Sequence, residues 1–140
     1  MVEHEMRKII FRGKCVDAGV WRWGNCVINF GGSLGTKVAE SYIIDQSVER
    51  FPRFVRFKVD HSTIGQYTGL HDKNEKYIFE GDIVKVSQSG SSYYAKIEYD
   101  CGCFWVSNPD IQIPDTINNF KMEFIEVVGN VYDNPELIGE

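Results

Sequence analysis

The stretch TIGQYTGLHDKNEKYIFEGDIVKV, residues 63–86, decides how the chain is read. It joins a glycine-punctuated strand, a polar turn and the entry into a second strand. Asp72, Lys73, Asn74 and Glu75 sit between two apolar runs, the pattern of a tight turn, and Asn74 is the residue expected in the left-handed conformation such a turn requires. Gly81 and Asp82 stand just ahead of the apolar run IVKV. A glycine there lets the backbone bend, and an aspartate can accept hydrogen bonds from nearby amides. These residue types are explained by folding alone.

Outward from this stretch the punctuation remains that of β structure. Downstream, YYAKIEYD alternates Ala95, Ile97 and Tyr99 against Lys96, Glu98 and Asp100, and CFWVS returns after a tight turn at Gly102, which predicts a hairpin. SQSGSS, residues 87–92, reads as a single loop. TINNF is compatible with one helical turn, FIEVVGNVY with a final strand, and DNPELIGE with a terminal helical turn capped by Asn134, with Pro135 at its first position and Glu136 in its first turn. Upstream, RKIIFRGKCV and VWRWGNCVINF alternate, with Trp21 and Trp23 on one face and Val20, Arg22 and Gly24 on the other; VDAG between them reads as a turn. FPRFVRFKVD alternates Val55, Phe57 and Val59 against Phe54, Arg56 and Lys58, and Pro52 places its start near a sheet edge. KVAESYIIDQ, residues 37–46, fits a short helix or a strand.

The chain has 140 residues, 43% hydrophobic and 14% aromatic, enough to bury a core in one ordinary domain or two very small ones. Its acidic N-terminal residues and short apolar runs predict neither a signal peptide nor a membrane span, so the cytoplasm is the expected compartment. Cys15, Cys26, Cys101 and Cys103 are too few and too irregular for a secreted disulfide framework. The net charge of −5 is unevenly distributed: residues 1–60 carry ten Lys/Arg against seven Asp/Glu, whereas residues 61–140 carry five against thirteen. The acidic second half repels a phosphate backbone, so any nucleic-acid contact falls to the first half.

Two blocks carry a family resemblance. Gly65, Gln66, Tyr67, Thr68, Gly69, Leu70, Asp72, Lys73, Asn74, Ile78, Phe79, Glu80, Gly81 and Asp82 match the pattern GQ-[YF]-TGL-x-DKNGK-x-I-[YF]-EGD. Gly129, Asn130, Tyr132, Asn134, Pro135, Glu136 and Leu137 match a terminal [IV]-GNIY-[DE]-NPEL. The chain thereby resembles the YopX family of phage and prophage proteins, over roughly residues 7–12 and 60–140. The departure at Glu75, where the family commonly has glycine, shifts the left-handed position of the turn onto Asn74. The resemblance implies a small C-terminal barrel similar to the Src-homology-3-like type, after a more variable N-terminal part. It implies no reaction and no cofactor.

The chemical candidates are weak beside their structural readings. C-x-C at Cys101–Cys103, with Cys15 and Cys26 ten positions apart, lacks the paired C-x2-4-C spacing of a structural zinc site, so no metal is expected. His61 and His71 bracket the GQYTGL strand, and Glu80 and Asp82 flank Gly81; an enzyme would need these groups to converge in a cleft, whereas a solvated turn histidine and turn-forming carboxylates are the readings these residues favour. NFGGSLGTK lacks the ending of a phosphate-binding loop. In RFPRFVRFK, Arg50, Arg53, Arg56 and Lys58 interleave with phenylalanines as a single-strand-binding surface would, or as an amphipathic strand whose cations meet the acidic second half.

The reading is a mainly β protein with a β-rich region over residues 1–61 and the small barrel over 62–140. Its expected role is non-enzymatic: a phage or prophage accessory protein that works through a protein partner or self-association. Nucleic-acid binding is the alternative, and an enzyme around His61, His71, Glu80 and Asp82 the second.

Overall fold

The computed structural model describes residues 7–31, 37–45, 55–110 and 114–139. The described chain is mainly β, with strands joined by tight turns and short 3-10 turns. It packs as two compact units, residues 1–66 and 67–140. No helix among the described residues is long and apolar enough to cross a membrane.

In the first unit, strands β1 (Phe11–Lys14), β2 (Trp21–Gly31), β3 (Lys37–Ile44) and β4 (Arg56–Val59) pair antiparallel in the order β4-β3-β2-β1. The opening residues of β5 (Gly65–His71) pair with β1 through Arg12↔Gly65 and Phe11↔Gln66. The ambiguous segment at 37–46 is thus a strand. Its buried Ile43 faces Cys26 on one neighbour and Phe57 on the other, so pairing on both sides overrides its local ambiguity. The sheet curls until the end of β1 meets β4. Cys15 bridges Val59, the Val16 amide donates to the Lys58 carbonyl at 3.2 Å, and the Asp60 amide to the Lys14 carbonyl at 2.8 Å. Gly13 permits that approach, since a Cβ there would lie 2.9 Å from Val59 Cβ. The strand after Pro52, expected to present an open edge, is covered at this end.

In the second unit, β7 (Asp82–Gln88), β8 (Ser91–Asp100) and β9 (Cys103–Ser107) form a meander, with β10 (Asp115–Thr116) outside β9 and β11 (Ile125–Asn130) outside β7. The order β10-β9-β8-β7-β11 is open: the two outer strands are not paired with each other, so the expected barrel is not closed by hydrogen bonds. Strand β10, only two residues long, is too short to complete a ring. The rest of β5 pairs with β6 (Tyr77–Phe79). Ile78, Val84, Val86, Ala95, Ile97, Val106, Ile117 and Ile125 form one buried cluster.

The two hairpin turns hold two residues each, Ser89–Gly90 and Cys101–Gly102, all at positive φ, as the twist of paired strands favours. SQSGSS is therefore mostly strand. TINNF contains a 3-10 turn at Ile117–Asn119, and a last one spans Pro135–Ile138. Asn134 precedes it without a side-chain cap.

In the turn after β5 the left-handed residue is Glu75, at φ 64°, and Asn74 is not among the positive-φ residues. The conformation belongs to the position, and the departure from glycine leaves a strained glutamate rather than moving the strain. Glu75→Gly is therefore expected to raise unfolding free energy by about 1 kcal/mol, read as a higher urea midpoint at unchanged slope. An unchanged or lower midpoint would contradict this account.

Candidate functional site

The residues of the two sequence blocks meet in space, and their polar groups are held by one another. The buried Asp72 carboxylate accepts through Oδ1 from the amides of Asn74 and Lys76, both at 2.8 Å, and through Oδ2 from the Val127 amide at 2.9 Å. The Lys73 amide donates to the Ile125 carbonyl at 2.9 Å, and Lys73 Nζ lies 3.1 Å from Glu126. The turn thus lies along the outer edge of β11 and satisfies backbone groups there. Asp82, 1% exposed, accepts from the Phe79 amide at 2.8 Å and closes the turn that Gly81 makes at φ 91°. The Gly81 amide donates to the Ile97 carbonyl, and its own carbonyl accepts from Val131.

The second block is as closely used. Asn134 Oδ1 accepts from the Asn130 amide at 3.2 Å, so this side chain reaches back to β11 instead of capping the turn at Pro135. Gly129 follows a bulge at Val128, and a Cβ on it would lie 2.5 Å from Asn134 Oδ1. Asn130 Oδ1 accepts from the amides of Tyr132 and Asp133. Among the first-block residues, Gly65 and Gln66 pair with β1, and Gly69 stands at φ 89° where the β5–β6 register shifts. Tyr67 is 4% exposed and stacks on Tyr77 at 4.4 Å.

The histidines and the remaining carboxylate do not assemble. His61 Nδ1 is 3.0 Å from Ser41 Oγ, while His71 Nε2 is 3.2 Å from the Tyr67 hydroxyl and its ring sits edge-on to Tyr77. Glu80 instead lines a cleft of about 440 Å3 with Glu98, Asp100, Lys96, Tyr99 and Tyr132, and His71 of the same unit is not part of its lining. Lys96 pairs with Glu98 at 3.0 Å. Tyr99 is 52% and Tyr132 37% exposed, so the lining combines two partly exposed rings with mainly acidic side chains.

Among the described residues no three His, Cys, Asp or Glu side chains are grouped to hold a metal. Cys101 and Cys103 are exposed beside the turn. The neighbouring Asp100 carboxylate, by its charge and by a hydrogen bond, pushes the Cys101 thiol above its ordinary range.

Arg50 and Arg53 lie outside the described residues. Arg56 and Lys58 are exposed on β4, but their partners are in their own unit: Arg56 sits 4.4 Å over the Tyr42 ring, and Lys58 is 3.7 Å from Glu40. They form a cross-strand cluster, because β3 places Glu40 and Tyr42 on the same face. Trp21 and Trp23 share that face through β2, opposite Lys14 and Arg12 on β1. The sequence reading assigned those tryptophans a face but no site. The signal available was their spacing of two in WRWGN, next to a basic strand.

A family model described as YopX protein matches residues 32–139. The chain belongs to the YopX family. The match takes in residues 32–59, which the resemblance had left out, and does not extend to 7–12. Two solved structures share the fold of this YopX protein. Protein EF1440 from Enterococcus faecalis is 24% identical, with a TM-score of 0.53, over 95% of this chain and 99% of that one. Protein yopX from Bacillus subtilis is 17% identical, with a TM-score of 0.56, over 94% and 98%. A comparison with curated proteins finds no match.

Two outcomes test this account of the site residues. Asp72→Ala is expected to lower stability by about 3 kcal/mol or more, because three amides lose a charged acceptor, with Asp72→Asn less severe; chemical denaturation measures both, and a loss below about 1 kcal/mol would remove Asp72 from this role. Asp100→Asn is expected to speed alkylation of Cys101 at neutral pH several-fold, by releasing the thiol from its raised range. Mass-resolved labelling with iodoacetamide reads the rate site by site, and an unchanged rate would refute the electrostatic cause.

Proposed function

We propose that this YopX-family protein is a non-enzymatic protein-interaction module, and that the Tyr99–Tyr132 cleft of its second unit receives a cation-bearing segment of a partner. The observation that carries this is the contrast between the sequence motif and the cleft. The motif's Asp72, Asp82, Asn130 and Asn134 are engaged with backbone amides, and the histidines with Ser41, Tyr67 and Tyr77. The cleft keeps two half-exposed rings under Glu80, Glu98 and Asp100, opposed by Lys96. Aromatic walls with an acidic rim favour a Lys- or Arg-bearing chain through cation–π and charge contacts. Src-homology-3-like modules combine an open, strongly bent antiparallel sheet with such a groove, and the meander of the second unit supports that finer description. The family supports a role as a phage or prophage accessory protein in the host cytoplasm.

Self-association belongs to the same reading, but two of the edges it would use are partly occupied. β4 is met by β1, and β11 by the Asp72 turn. Surfaces other than these edges are therefore favoured.

Selection from a displayed random-peptide library is expected to return Lys/Arg-containing ligands. Their affinity should fall at least about tenfold in Tyr132→Ala and in the double variant Glu80→Gln/Glu98→Gln. Ligands without basic residues, or affinities insensitive to both variants, would overturn the assignment of the cleft.

A further inference from the structure

We propose a second binding function in the first unit: a site for single-stranded nucleic acid centred on Trp23. It is independent of the cleft. Trp23 is 48% exposed and forms one wall of an open groove of about 460 Å3, with Ile9 and Ile10 beside it, Lys8 lining it, and Asn25 as a further polar side chain. That is room for a nucleobase in an open, mostly apolar groove with a few polar groups. A base stacks on the indole. The Asn25 amide offers a donor and an acceptor to its edge.

The register extends this pocket into a strip. Arg12 stands opposite Trp23 and Lys14 opposite Trp21, and the Arg12 guanidinium lies 4.9 Å over the Trp21 ring. Across β2 and β3 the same face reaches Tyr42, Arg56 and Lys58. Lys8, Lys14, Arg56 and Lys58 set four cations on or beside this face against the carboxylate of Glu40, with the buried Arg12 guanidinium packed on Trp21. Exposed indole and interleaved cations are what a flexible strand needs, since each base has a ring face and each link a phosphate. The charge also selects between occupants. A cation-bearing peptide suited to the acidic cleft would be repelled here.

The test uses the full chain and fluorescein-labelled 15-nucleotide single strands of mixed sequence, one DNA and one RNA, with duplex DNA of equal length as control. Anisotropy at about 50 mM salt is expected to show binding of at least one single strand at or below about 10 μM protein, with quenching of tryptophan fluorescence. Comparison of the two strands decides whether DNA or RNA is preferred. Trp23→Ala should weaken binding about 5- to 100-fold, while Trp23→Phe, which keeps a ring, retains most of it. Lys8→Gln and Lys14→Gln should each reduce the slope of log affinity against log salt by about 0.7. Absence of binding at 10 μM overturns the proposal. So does equal affinity for duplex, or full affinity in Trp23→Ala. Should Trp23→Ala instead abolish a concentration-dependent dimer seen by sedimentation without oligonucleotide, the face belongs to a second copy and the proposal also fails. If Trp23→Ala does not fold by circular dichroism, Asn25→Ala and the two lysine variants carry the same decision.

Discussion

The second unit depends on one carboxylate. Asp72 holds its own turn through Oδ1 and the closing strand through Oδ2, joining residues 55 apart in sequence at Val127. A buried carboxylate without partners is costly, whereas one accepting three amide hydrogen bonds is a strong, directional tie. The same contact covers backbone groups along the outer edge of β11, which would otherwise be a template for another strand. The final strand is thereby fixed, and with it the bulge at Val128 and the cleft residues Val131 and Tyr132 that follow.

This arrangement explains why the family pattern consists of two distant blocks. The blocks are the two sides of one set of contacts: Asp72 and Lys73 with Ile125 to Val127, Gly81 with Val131, Asp82 opposite Asn130. Glycine and asparagine in them answer to close approach and to amides needing an acceptor, as at Gly129 beneath Asn134. A motif of this kind identifies an architecture.

The first unit contrasts with the second in charge and in construction. Its sheet curls because Gly13 lets Val59 approach, and the curl brings β4 back to the end of β1. One face then gathers Trp21, Trp23, Tyr42 and the cations around them, while Arg22, Asp45 and Phe57 group on the other, with the Arg22 guanidinium 4.0 Å over the Phe57 ring. A net charge of −5 conceals this local basic surface, because association responds to the field at a face and not to the whole-chain sum.

By itself the sequence determined the β class, the hairpin at Gly102, the turn at residues 72–75, the structural use of Gly81 and Asp82, and the family. The family follows from the resemblance of the two motif blocks, and the others from period-two alternation or from residue types with narrow backbone preferences, which act over a few neighbours. Tertiary structure decided the rest. Pairing on both sides made residues 37–44 a strand, the position of the turn put Glu75 rather than Asn74 at positive φ, and a long-range amide drew Asn134 away from its cap. Register alone brought Trp23, Arg12, Tyr42 and Lys58 to one face, and the fold alone set Glu80 beside Tyr132. Such neighbours are far apart along the chain, so no local periodicity records them.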